Sequence, residues 1–113
     1  MLKILIAVAI FIILTRVLQS RGAIPGSEAR ALVESGALLV DVRSETEFAH
    51  KHLDGALNIP LNQLEGRMAE LGNKDREIVV YCQNGPRSSQ ASRFLQRQGF
   101  SRVHNLGAMR RWS

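Results

Sequence analysis

The segment IVVYCQNGPRS, residues 78–88, sets the β-forming run Ile78 to Tyr81 directly against a polar loop that holds a glycine and a proline. A short apolar run bounded by turn residues reads as a buried strand. The loop opens into a helix predicted from about Ser88 to Gln98. Ala91, Phe94 and Leu95 share one face of it and Gly99 ends it. Cys82, the only cysteine in the chain, stands at the carboxyl end of this strand.

The same alternation extends on both sides. Ser27 can cap a helix over Glu28 to Ser35, closed by Gly36. Leu38 to Val42 is a second buried strand. Ser44 and Glu47, three apart, make a capping box for a short helix through about Lys51. Leu57 to Ile59 is a brief strand stopped by Pro60. Asn62 and Glu65 are spaced as a second capping box, ahead of a helix that ends at Gly72. Val103 to Leu106 is a last strand, followed by a turn at Met109 to Trp112. Strands alternating with helices imply an α/β fold: a single domain with a small parallel sheet flanked by helices on both faces. Ligands of such open sheets sit beyond the carboxyl ends of the strands, where Cys82 lies.

The loop after the strand has the chemistry of a nucleophile site. A sulfur beside backbone N–H groups and a helix N-terminus is favoured as the thiolate. The same N–H groups can cradle an anion or a persulfide. Gly85 permits a positive φ, Pro86 stiffens the loop while removing one donor, and Arg87 adds a fixed positive charge. The competing reading is a small buried core residue, but a core cysteine seldom stands in a polar Gly-Pro-Arg loop. Asp41 and Arg43 fall at another strand's carboxyl end and are supporting candidates. An ion pair that orders the local backbone explains them equally well.

Residues 38–61, LLVDVRSETEFAHKHLDGALNIPL, and residues 78–88 together resemble the rhodanese domain family, in particular its small single-domain bacterial members. The likeness rests on Asp41-Val42-Arg43, Glu47-Phe48, His52, Gly55-Ala56 and Asn58-Ile59-Pro60. Cys82, Gly85, Arg87 and Ser88 carry it through the loop, and Leu106-Gly107 and Trp112 at the close. The resemblance implies a sulfurtransferase whose Cys82 takes a sulfane sulfur from thiosulfate or a related donor. The resulting persulfide is handed to an acceptor thiol, or to cyanide. Gln83, Asn84, Gly85, Pro86, Arg87 and Ser88 would then bind substrate, with the loop backbone lining the persulfide and Arg87 helping to hold the anionic donor. No cofactor or metal is implied. With no second cysteine, the acceptor lies outside this chain. The alternative is a non-catalytic sulfur carrier or redox sensor that uses the same thiol. Phosphatases and arsenate reductases similar to this fold place five residues between cysteine and arginine. Here four intervene between Cys82 and Arg87, which disfavours phosphorus and arsenic chemistry.

Ile4 to Leu14 reads ILIAVAIFIIL without a polar side chain, between Lys3 and Arg16. Residues 1–18 are accordingly expected to be a hydrophobic helix that anchors the chain in a membrane, retained rather than cleaved. Residues 19–26 are expected as a linker and 27–113 as the domain. Resemblance to exported members suggests a single pass with the domain in the periplasm; the alternative is the cytoplasmic face of the inner membrane. The net charge is +5, and the six basic residues beyond Pro86 meet no acidic one there. They lack interleaved aromatics and any nucleic-acid motif, which argues against nucleic-acid binding. His50 and His52 lie close together without the cysteine or carboxylate cluster of a metal site. The sequence leaves the oligomeric state open.

Overall fold

The computed structural model describes the backbone of residues 1–113 and the side chains of residues 1–13 and 22–113. Helix α1 (Leu2–Arg21) precedes α2 (Gly26–Glu34). The strands β1 (Leu38–Asp41), β2 (Leu57–Asn58), β3 (Ile78–Cys82) and β4 (Val103–Ala108) form one parallel sheet in the order β2-β1-β3-β4. Helix α3 (Glu45–His50) follows β1, and α4 (Pro86–Arg97) follows β3. From β1 the chain moves to one edge of the sheet, and from β3 to the other. The crevice between the carboxyl ends of β1 and β3 is therefore the switch point at which open α/β sheets bind ligands.

The strand read first from the sequence is the centre of this arrangement. All of β3 is buried. Because successive side chains in a strand face opposite ways, Ile78, Val80 and Cys82 join Ala91 and Leu95 of α4 in one cluster. Val79 and Tyr81 pack with Ala29 of α2 in the other. Both faces of the sheet are thus covered, which is why β3 is apolar throughout rather than alternating. The thiol belongs to the α4 face, beneath the first turn of that helix.

Several expectations are corrected. Among the described residues no helix is long and apolar enough to cross a membrane, so the expected single-pass anchoring, and with it the placement of an anchored domain in the periplasm or on the cytoplasmic face, does not stand. The physical reason is length. The unbroken apolar run Ile4 to Leu14 rises about 16 Å at ~1.5 Å per residue, against a hydrocarbon core of about 30 Å. Ser27 is not the cap of α2, which starts at Gly26 behind Pro25. A side chain on Gly26 would collide with the Arg111 carbonyl 1.7 Å from the new Cβ, so close packing against the C-terminal turn fixes that start. Within the expected linker, the Ile24 N–H donates to the Asn105 carbonyl at 2.8 Å. Asn62 and Glu65 form no capping box; two 3-10 segments, Leu61–Gln63 and Glu65–Leu71, replace the expected helix. Non-helical backbone at Arg67 interrupts it, while Leu64 and Leu71 are still buried. The Ser44–Glu47 box forms as expected.

Candidate active site

Helix α4 begins two residues earlier than its sequence pattern suggests, and that shift shapes the loop. Gly85 is its N-cap, with φ 114° and ψ −41°, and Pro86 takes the first helical position. Proline is at home there, because the N–H it lacks would find no carbonyl inside the helix. The sharp turn at Gly85 is open only to a residue without a Cβ. Arg87 and Ser88 then occupy the first turn, where backbone N–H groups have no intrahelical acceptor.

Cys82 is fully buried. Its Sγ accepts the Gly85 N–H at 3.0 Å and donates to Ser88 Oγ at 3.2 Å, and the Ser88 hydroxyl donates on to the Gly85 carbonyl at 3.0 Å. Thiol, hydroxyl and the two backbone groups of Gly85 thus close a ring. The ring holds the sulfur at the end of β3 and ties the loop to the start of α4. Gln83 and Asn84 are exposed at the loop tip, Pro86 is exposed, and Ser88 is buried.

The neighbouring strand end supplies a buried frame. Arg43 donates to both carboxylate oxygens of Asp41 through Nε at 3.1 Å and through Nη2 at 2.8 Å, and its own N–H reaches Asp41 Oδ1 at 2.8 Å. It also donates to the Lys51 carbonyl at 2.6 Å and to Gln83 Oε1 at 3.3 Å. Asn58 Nδ2 donates to the carbonyls of both Asp41 and Arg43. Arg43 therefore links β1, the end of α3 and the active loop, which brings the two supporting candidates to the site as an ordering ion pair.

Arg87 is engaged on the other side of the loop. Its Nη1 and Nη2 donate to Glu47 Oε1 and Oε2 at 2.6 and 3.0 Å. Glu47 Oε1 also accepts the Ser44 N–H at 3.1 Å, which closes the capping box of α3. The Arg87 guanidinium first, and then the Ser44 N–H, hold the Glu47 carboxyl down at about 2. The same contact raises Arg87 above its ordinary range. The pair stands between two recesses. Arg87 lines a groove of about 800 Å³ with Ser44, Leu61, Gln90 and Phe94. Glu47 lines a cavity of about 460 Å³ with Gln83, Lys51, Arg110 and Trp112. Sequence reasoning took Glu47 only as a helix cap and family match. Its partner lies forty residues away, so no local pattern could mark the contact.

A buried cysteine at the switch point of a parallel sheet, ringed by a tight loop and the first turn of a helix, defines a cysteine-loop α/β domain. The chain belongs to the rhodanese-like domain family, whose model matches residues 25–113. It is 43% identical over 77 residues to a sulfurtransferase of Allochromatium vinosum, which covers 67% of this chain and 71% of that relative. It is 33% identical over 90 residues to the thiosulfate sulfurtransferase GlpE of Stutzerimonas stutzeri, with 79% and 82% covered. Among solved structures it is similar to the human single-domain sulfurtransferase TSTD1, with a TM-score of 0.71, 34% identity, and 81% and 95% of the two chains covered.

Proposed function

We propose that this protein is a sulfurtransferase that carries sulfur on Cys82, with thiosulfate or a related sulfane donor as its source. The observation that carries this reading is the ring at Sγ: one loop amide, the Ser88 hydroxyl and the start of α4 converge on a single sulfur. Once the thiol proton leaves, Gly85 N–H remains a donor to Sγ and the Ser88 hydroxyl can turn from the Gly85 carbonyl to become a second, which suits a thiolate and then an anionic persulfide. The family and the names of its relatives support the same chemistry.

The Cys82 thiolate attacks the outer sulfur of thiosulfate. A sulfur–sulfur bond forms at Sγ, the donor's own sulfur–sulfur bond breaks, and sulfite leaves with that electron pair. An acceptor thiolate then attacks the outer sulfur of the persulfide and departs as a new persulfide, which regenerates the Cys82 thiolate. The two displacements balance without an added oxidant or reductant, as expected of covalent catalysis. Gly85 N–H stabilises the sulfur throughout. The N–H groups of Arg87 and Ser88 serve the outer sulfur, and Arg43 keeps Gln83 and the loop in register with β1.

The test is sulfur transfer from thiosulfate to cyanide by the full chain, beside Cys82→Ser. Turnover that the substitution abolishes is the expected result. A folded wild-type protein with a titratable thiol and no turnover would overturn the thiosulfate assignment. That outcome would favour the carrier reading.

A further inference from the structure

Arg87 is the one guanidinium of the active loop, and it is already occupied. Both of its terminal nitrogens are spent on the two oxygens of one carboxylate. This is the fork geometry in which guanidinium groups hold planar or tetrahedral oxyanions. Arg43, which also reaches the loop through Gln83, is committed to Asp41. An anionic donor that takes the end-on fork of Arg87, formed by Nη1 and Nη2, must therefore exchange with Glu47.

Three features make this exchange feasible. The pair is about one-third exposed on each side, with 38% for Arg87 and 34% for Glu47, so incoming solute can reach it. A half-buried pair that water still reaches is held by less net free energy than a sealed one, because water competes for both partners. Finally, a displaced Glu47 is not left without a partner, since its Oε1 keeps the Ser44 N–H in the capping box.

From this geometry we propose that Glu47 is a built-in competitor for anionic sulfur donors: its carboxylate occupies the Arg87 fork, and donor binding proceeds by displacing it. The proposal rests on the sulfurtransferase reading for its biological meaning, but the exchange itself concerns anion binding and can be measured without turnover. Glu47 is thereby a specificity-determining residue. It weakens binding of small oxyanions such as thiosulfate relative to donors that do not need the guanidinium.

Glu47→Gln is the informative variant, because glutamine serves equally well at the third position of a capping box and leaves α3 capped. Thiosulfate binding is measured by calorimetry on full-length Cys82→Ser, with and without Glu47→Gln, and each is repeated in an Arg87→Gln background. The expected result is about two- to fivefold tighter binding on Glu47→Gln, the range an exposed ion pair supports, with the gain abolished when Arg87 is glutamine. In the active enzyme the same change should lower KM for thiosulfate and leave kcat within about twofold. Unchanged or weaker thiosulfate binding in Glu47→Gln would overturn the proposal, and so would an equal gain without Arg87. If the wild type shows no turnover while the Arg87-dependent gain in binding persists, the thiosulfate sulfurtransferase reading fails and the role of Glu47 as a competitor for anions stands.

Discussion

Two ion pairs flank the Cys82 loop and differ in almost every physical respect. Asp41–Arg43 joins residues two apart at the end of β1, with the Asp41 side chain at 0% and Arg43 at 4% exposure. Glu47–Arg87 joins residues forty apart on α3 and α4, with both partners about one-third exposed. The first is sealed from water: Arg43 also donates to the Lys51 carbonyl, and the Asn58 side chain pins the backbone carbonyls of Asp41 and Arg43, so neither charge can turn to solvent. The second faces solvent and can be broken at small cost. One pair is frame and the other is a contact that chemistry can exploit. Burial decides which is which, since the strength of an ion pair in isolation is far less telling than what remains when one partner is removed.

The largest effect should follow from breaking the frame. Asp41→Ala strands the Arg43 charge inside the protein and should lower stability by about 3–5 kcal/mol, read from urea unfolding. A loss below about 1 kcal/mol would show that the two pairs are not different in kind. Gly85→Ala addresses the loop between them. Beyond its chain neighbours nothing lies within 4 Å of the added Cβ, so its cost is that of forcing φ 114° on an L-residue, about 1–3 kcal/mol. Thiol alkylation kinetics should also change, as the Gly85 N–H moves off Sγ.

Smaller still is the stability change for Glu47→Gln, expected below about 1 kcal/mol because the pair is screened by water. Its pH dependence sharpens the point. The Glu47 carboxyl lies at about 2 in the folded protein against an ordinary value of 4.5. Its contribution is therefore fully present above pH 4.5 and declines as pH falls towards 2. Unfolding curves of wild type and Glu47→Gln should differ at pH 6 and converge on acidification. A difference that grows as pH falls would contradict the assigned geometry.

Much of this molecule was legible in the chain itself. The run Ile78 to Tyr81, the turn residues after it and the glycines that end helices are local signals, and local physics fixes strands, caps and the exposed tip of the Cys82 loop. The Ser44–Glu47 capping box is of the same kind: two residues one helical turn apart satisfy each other's donors wherever the rest of the chain goes. Composition alone misjudged the N-terminal segment, because an apolar run signals a membrane span only when its length matches the bilayer. Elsewhere the backbone overrode a good local pattern, as at Arg67, where non-helical φ and ψ replace the helix expected after Asn62.

Other facts needed the folded chain. Asp41 and Arg43 could be read as a pair from their spacing, but only burial between β1, α3 and the loop makes that pair a frame. That Arg87 is held by Glu47 rather than standing free depends on α3 and α4 meeting over the ends of β1 and β3, and sequence separation hides such a meeting. The sequence by itself singled out Cys82 as the candidate nucleophile, since a lone thiol at a strand end before a Gly-Pro-Arg loop is a local pattern. Only the tertiary structure decided what surrounds that thiol, because charge, burial and access at the sulfur are set by groups brought together through packing.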